Sequence, residues 1–310
     1  MKKNRLFLVL TLILTLFFLT NYNFNIKKFN HTPHATLSDI TYKAVSNKNI
    51  KLDFYKPTIQ QNQKSPAIIY FHGGSWISGN KSKILQRYRK TALQHLLDAG
   101  YTVFSADYRL VNFSGNHIDQ AVEDCKDAVN HVIKNAFFYN IDTAQIGLWG
   151  SSAGAHLAML AAMAPDSCLG KCHSNANIIG KIKFIIDDFG PSNISEMFKT
   201  VNPTLRKKIS DVFFDIPTAD LKTFDSLTTA FSPSVYAKEN KIPTLIFHGL
   251  NDKIVPTSQS ENLYLQLNKT NSCIYLFDNL GHGFNGMDSS KANLYSQACL
   301  NFLDNINVKN

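Results

Sequence analysis

The sequence predicts an α/β fold, a mostly parallel sheet of about eight strands covered by helices on both faces, with a cap inserted over its carboxyl edge. Short apolar runs alternate with longer stretches of helical periodicity, the pattern of parallel strands joined by crossover helices. That rhythm breaks at residues 192–235, where mixed helical patterns hold Phe198, Phe213, Phe214 and Phe224. The chain has 310 residues, 44% hydrophobic and 18% charged. Such a composition supplies a packed core and excludes a disordered, collagenous or coiled-coil chain.

Taken in order, Lys51 to Pro57 alternates with Leu52 and Phe54 on one face, and Pro57 ends it, as expected of an early edge strand. Ala67 to Phe71 reads as a buried strand and Lys83 to Ala99 as a helix stopped by Gly100. Tyr101 to Ala106 is the next strand. Ile118 to Asn135 is the next helix, with Ala121, Cys125, Ala128 and Val132 at a helical interval. Ile146 to Trp149 is predicted as strand and Ser152 to Met163 as an Ala/Leu-rich helix. Ile182 to Ile186, Thr244 to Phe247 and Cys273 to Phe277 add three strands, and Ser289 to Leu303 the last helix. The predicted organisation is a leader over 1–20, a tether over 21–38 and one domain over 39–310, with 192–235 as its cap.

The leader carries Lys2, Lys3 and Arg5 ahead of the uncharged, Leu/Phe-rich run Leu6 to Thr20. This is the arrangement of an export signal. The run is short for a membrane span of roughly 20 residues, and no small-x-small cleavage site follows it, so cleaved signal and retained anchor both stand. The domain over 39–310 is expected outside the cytoplasm, as a periplasmic, secreted or membrane-anchored protein. With Lys27 and Lys28, five of the basic residues precede the first acid, Asp39, and the rest of the chain carries only +4 of the formal +9. No long basic stripe remains there, which argues against a nucleic-acid partner. Cys168 and Cys172 share a polar loop where export would permit a disulfide, and a metal site using both with His173 lacks a second ligand cluster. Cys125, Cys273 and Cys299 read as small buried hydrophobes.

Gly150-Ser151-Ser152-Ala153-Gly154 is a G-x-S-x-G sequence between a predicted strand and a predicted helix, the context of a nucleophile elbow. A serine hydroxyl needs a base, and the base needs an orienting group. Asp252 follows one late strand and His282 the next, giving the chain order Ser152, Asp252, His282. Asp278 is a rival acid but lies four residues from His282; Asp187 and Asp188 would need another geometry. His72-Gly73-Gly74-Ser75-Trp76 directly follows a strand, and its glycines let backbone N–H groups approach an oxyanion. Gly74 and Ser75, with Ala153, are the expected donors, and His72 is expected to brace the loop. Arg109 reads as a structural ion-pair partner and His156 as a packed helix residue. The cap phenylalanines fit either an acyl pocket or the cap's own core.

The HGGSW turn, Gly100-Tyr101 leading into Ser105-Ala106-Asp107-Tyr108-Arg109-Leu110, the run Gly147 to Leu157, and Pro243 to Gly249 before Asp252 together resemble the α/β-hydrolase fold. Within it they are most similar to the esterase/lipase branch with an HGGG-type oxyanion loop, including feruloyl and acetyl-xylan esterase-like enzymes and carboxylesterases. The resemblance implies Ser152 as nucleophile, His282 as base, Asp252 as its orienting acid, and a small-molecule ester as substrate with no metal or cofactor. Ser75 replaces the third loop glycine, and the cap matches no assignable pattern, so substrate identity does not carry over. An amidase or aryl-formamidase on the same scaffold, or a non-catalytic membrane-tethered binding module, are the alternative expectations. The sequence leaves the oligomeric state open.

Overall fold

The computed structural model describes residues 32–45, 48–59, 63–112, 114–169, 178–199 and 201–308. The leader and most of the tether lie outside these residues, as does Cys172 with the disulfide expectation that depends on it. Among the described residues no helix is long and apolar enough to cross a membrane.

Eight strands form one sheet: β1 (Leu37–Val45), β2 (Lys48–Tyr55), β3 (Ser65–Phe71), β4 (Thr102–Ala106), β5 (Ile141–Ser151), β6 (Ile182–Asp188), β7 (Thr244–Gly249) and β8 (Cys273–Phe277). Their spatial order is β1-β2-β4-β3-β5-β6-β7-β8. β2 runs antiparallel to both its neighbours, and every pair from β4 to β8 is parallel. This is the α/β-hydrolase arrangement the motifs imply. The edge strand, however, is β1 rather than the strand around Leu52. β1 shows little periodicity because most of its residues are exposed, only Ile40 and Tyr42 reaching the core. What holds it is partly ionic. Lys43 pairs with Glu123, Asp124 and Asp127 at 2.6–2.9 Å. Arg109 meets the same buried Asp124 through Nε and Nη2 at 2.8 and 2.7 Å, so its structural reading is correct.

Alternation along the central strands feeds two cores, one on each face. Ile69, Phe71, Phe104, Leu148 and Ile246 point to a face covered by α2 (Ile118–Lys134) and α4 (Ala153–Met163). Ile68, Tyr70, Val103, Trp149 and Phe247 point to the other, covered by α1 (Tyr88–Asp98) and α10 (Ser289–Val308). The predicted helix from Lys83 to Ala99 is in fact a 3₁₀ turn, Lys81–Leu85, followed by α1. Between α2 and β5 lies a single turn, α3 (Ala136–Tyr139). Cys125 and Cys299 are buried as expected, whereas Cys273 is exposed, because it opens the other edge strand, β8.

The stretch from β6 to β7 folds as α5 (Ile194–Phe198), α6 (Pro203–Phe214), α7 (Leu221–Ala230) and α8 (Pro233–Ala237), and α9 (Ser258–Gln266) joins β7 to β8. Asn193, Asn202 and Asp220 cap the first three by accepting from backbone N–H groups, and Pro203 sits where a helix start leaves its missing donor harmless. Phe224 and Phe231 are buried, Phe224 facing Phe198 and Phe231 facing Phe214. Phe231 joins the core on the α2/α4 face of the sheet, and Phe198, Phe213 and Phe214 pack against that core.

Two buried acids close β6. Asp187 accepts from the Gly190 N–H through Oδ1 at 2.8 Å, and its Oδ2 has no partner among the described residues. Burial pushes Asp187 up to about 8; the Gly190 donor opposes the shift and the neighbouring Asp188 adds to it. An unfolded aspartate titrates near ~3.9. The folded state therefore keeps a proton that the unfolded chain has released, and this contribution to stability is lost as pH rises from ~4 to 8. Asp187→Asn removes the effect. Its unfolding free energy relative to wild type should increase with pH between 5 and 7.5, by up to ~1.4 kcal/mol per unit, in denaturant titrations. Parallel curves for the two proteins would refute this titration.

Candidate active site

β5 turns into α4 through a single residue, Ser152, held at φ 53° and ψ −120°. A non-glycine residue there costs of order 1–3 kcal/mol and persists only where its surroundings fix it. The surroundings do so by close contact. A Cβ on Gly150 would lie 2.4 Å from the Ala155 nitrogen, and one on Gly154 would lie 2.1 Å from the Phe71 carbonyl oxygen. The Ser152 N–H donates to the Asp188 carbonyl at 2.8 Å, and the Ser152 carbonyl accepts from His156 N–H at 3.1 Å. The hydroxyl is thus lifted off the sheet at the start of α4, where helix N–H groups favour developing negative charge.

His282 begins a short 3₁₀ turn after β8, and Asp252 lies in the loop after β7. Ser152 Oγ donates to His282 Nε2 at 3.0 Å, and His282 Nδ1 donates to Asp252 Oδ2 at 2.7 Å. The second bond fixes the tautomer, leaving the Nε2 lone pair for the serine proton. The edge of Phe189 packs on the imidazole with ring centroids 5.0 Å apart. Asp252 is buried, which alone would raise its pKa. Donors from His248, His282 and the N–H groups of Ile254 and Val255 outweigh burial and hold it far below the usual carboxylate range. It stays ionised, as an acid that stabilises an imidazolium must. The rival Asp278 is exposed, and the histidine's acid partner is Asp252. Asp187 and Asp188 lie beneath the elbow, where Asp188 Oδ2 accepts from Tyr88, Trp149 and Ser151 and its Oδ1 from Tyr295, all within 3.0 Å.

The loop His72 to Trp76 runs alongside Ser152. A Cβ on Gly73 would sit 3.3 Å from the Ser152 Cβ. Gly74 and Ser75 have φ of 142° and 53°. The Gly74 carbonyl accepts from Ile77 and Ser78 at 3.1 and 3.0 Å, which closes the turn. The N–H groups of Gly74, Ser75 and Ala153 donate to no other described residue. His72 braces the loop from below. Its ring stacks on Tyr108 at 4.3 Å, its Nδ1 donates to the Gly73 carbonyl at 3.0 Å, and its carbonyl accepts from Tyr108 Oη at 2.7 Å. Burial lowers the His72 pKa to about 4; the bond to Gly73 opposes this and the Lys83 charge adds to it.

Several supporting contacts are not legible in the sequence. Trp76 Nε1 donates to His156 Nδ1 at 3.1 Å, and His156 Nε2 donates to the Phe231 carbonyl at 2.8 Å, which ties the loop through α4 to the end of α7. The Trp76 ring also meets Phe213 edge-on at 5.6 Å. His248 supports Asp252 from beneath, its Nε2 3.4 Å from Oδ2. Arg87 Nη1 donates to the Gly283 carbonyl at 3.4 Å and to Asn285, clasping the turn that carries His282. Among the described residues no three His, Cys, Asp or Glu side chains could hold a metal; Cys172 and His173 lie outside them.

A hydroxyl bonded to an oriented base, beside three free N–H groups, is built for attack on an electrophilic carbonyl or phosphoryl centre. Ser152 should therefore form a covalent adduct with a fluorophosphonate. Asp252→Asn, which unsettles the tautomer, should slow that reaction by about 10³–10⁴-fold in time-resolved intact-mass measurements. Unchanged labelling in this variant would show that Asp252 does not orient the base.

Residues 52–267 match the BD-FAE family. The chain is 28% identical over 242 residues to a probable isoprenylcysteine alpha-carbonyl methylesterase, ICMEL1, of Oryza sativa subsp. japonica, covering 75% of this chain and 54% of that protein. It is 23% identical over 265 residues to the probable carboxylic ester hydrolase LipM of Mycobacterium tuberculosis, covering 84% and 58%. The chain thus spans about half the length of the curated relatives it matches. Its fold matches that of a thermophilic esterase, Est2 of Thermogutta terrifontis, solved with propionate bound, with TM-score 0.68, 23% identity, and coverage of 90% of this chain and 94% of that one. The apo form of the same esterase matches with TM-score 0.69 and 23% identity, covering 92% and 98%. With well over half of its residues matched, the chain belongs to the BD-FAE family.

Proposed function

We propose that this protein is a serine carboxylesterase that hydrolyses esters of short to medium acyl groups through an acyl-enzyme intermediate. The continuous Asp252–His282–Ser152 hydrogen-bonded chain carries the reading. His282 takes the hydroxyl proton as Ser152 Oγ attacks the ester carbonyl, and the imidazolium is stabilised by Asp252. The N–H groups of Gly74, Ser75 and Ala153 receive the oxyanion. His282 then protonates the departing alcohol, and a water activated by the same histidine releases the acid. The relatives are named as carboxylic ester hydrolase and methylesterases, and the similar Thermogutta esterase was solved with propionate and with butyrate bound. Those small carboxylates favour a short acyl pocket here.

The basic and apolar leader supports export, with the catalytic domain outside the cytoplasm and the leader as cleaved signal or membrane tether. β1 starts at the end of the sheet opposite Ser152, because it runs parallel to β3 and β5.

Hydrolysis of p-nitrophenyl esters from acetate to decanoate tests the proposal. Turnover should be highest for the shorter chains and fall by at least ~10³-fold in Ser152→Ala. Comparable turnover of p-nitroacetanilide would move the reading to an amidase, and no turnover of either by folded protein would overturn it.

A further inference from the structure

We infer that Lys83 is a positioning residue for the oxyanion hole, one that fixes and polarises the peptide between Gly73 and Gly74. The inference rests on the acyl-transfer reading above.

The Gly73 carbonyl oxygen receives two donors, Lys83 Nζ at 3.0 Å and His72 Nδ1 at 3.0 Å. Gly79 closes over the same oxygen so tightly that a Cβ there would lie 2.6 Å from it and 2.6 Å from His72 Nδ1. The carbonyl is therefore held in one direction. No peptide bond among the described residues is cis, so the Gly74 N–H in the same planar unit points the opposite way, away from Lys83. On that side it meets no acceptor among the described residues, and the Ser152 side chain lies close to Gly73.

A hydrogen bond strengthens when its neighbour in a chain of hydrogen bonds is charged. As an oxyanion draws on the Gly74 N–H, negative charge shifts through the peptide onto the Gly73 oxygen, where the ammonium meets it. The effect grows with the charge on the substrate oxygen, so it belongs to the transition state more than to the bound ester.

The surroundings of Lys83 supply no other use for its charge. It is half-buried, and no carboxylate among the described residues pairs with it. The charged or titratable groups at hand are Arg89, whose Nε donates to the Lys83 carbonyl at 2.9 Å, and His72. Burial first, and then the Arg89 charge, lower the Lys83 pKa.

Lys83→Met and Lys83→Arg in the full chain decide the matter, alongside thermal unfolding to verify the fold. Losing one oxyanion donor outright costs on the order of 10²–10³ in rate, so losing the group behind a donor should cost about 10-fold. With p-nitrophenyl acetate, Lys83→Met should lower kcat by about that factor while KM stays within about twofold, and Lys83→Arg should recover most of the loss. The rate of Ser152 phosphonylation by a fluorophosphonate, which draws on the same N–H groups, should follow kcat. An unchanged kcat and phosphonylation rate in Lys83→Met would overturn the inference. Equal losses in both variants, or a loss confined to KM, would overturn it too. If wild type hydrolyses no ester, the carboxylesterase reading fails, while the phosphonylation rates of the two variants still decide the role of Lys83.

Discussion

Everything at the site is referred to one backbone constraint, the strand-to-helix turn at Ser152. A left-handed serine wedged between β5 and α4 is unfavourable on its own terms. It is held by its N–H bond to the Asp188 carbonyl, by the tight contacts at Gly150 and Gly154, and by what Asp188 gathers beneath it. That carboxylate is fully buried and takes four donors from β5, α1 and α10: Trp149, Ser151, Tyr88 and Tyr295. Burial raises its pKa to about 6, the four donors working against burial. A buried polar group of this kind is tolerable only when its partners are all present. The same residue therefore locks the strand, two helices and the elbow into one arrangement.

From that fixed point the reacting groups are assembled across the sheet. Neighbouring parallel strands end side by side, so loops far apart in sequence meet at one edge. β3 delivers the loop from His72 to Trp76, β5 delivers Ser152, β7 delivers Asp252 and β8 delivers His282. Each is then held from behind. His72 and Lys83 hold the Gly73 carbonyl, His248 supports Asp252, and Arg87 clasps the turn that bears His282. These supports restrict the geometry of groups that must act within a few tenths of an ångström.

His156 shows how this scaffold extends toward the segment between β6 and β7. One ring nitrogen accepts from Trp76 and the other donates to the Phe231 carbonyl, an arrangement open only to a neutral imidazole. Burial lowers its pKa to about 4, with the Phe231 bond opposing the shift, so the link stays intact at neutral pH. The side chain is packed within a helix, as its neighbours in sequence suggest, and it also connects the loop from His72 to Trp76 to the end of α7.

Local chemistry made much of this legible in the sequence. Gly150 and Gly154 mark a turn with no room for side chains, the order Ser152, Asp252, His282 places each of the three groups just after a strand, and the apolar runs of β3, β4 and β5 mark strands buried on both faces. β1 was illegible because an exposed edge strand has no apolar period to read, and because its hold depends on Lys43 reaching acids on α2. For the same reason the choice of Asp252 over Asp278 became visible as a hydrogen bond only in three dimensions, together with the parts played by Lys83, His156, Asp188 and Arg87. The sequence by itself determined the residue types, the periodicities and the tight turn, since these are set by sterics within a few residues. Only the tertiary structure decided which polar groups share a hydrogen bond, because most of those partners lie far apart in the chain and meet only when the sheet forms.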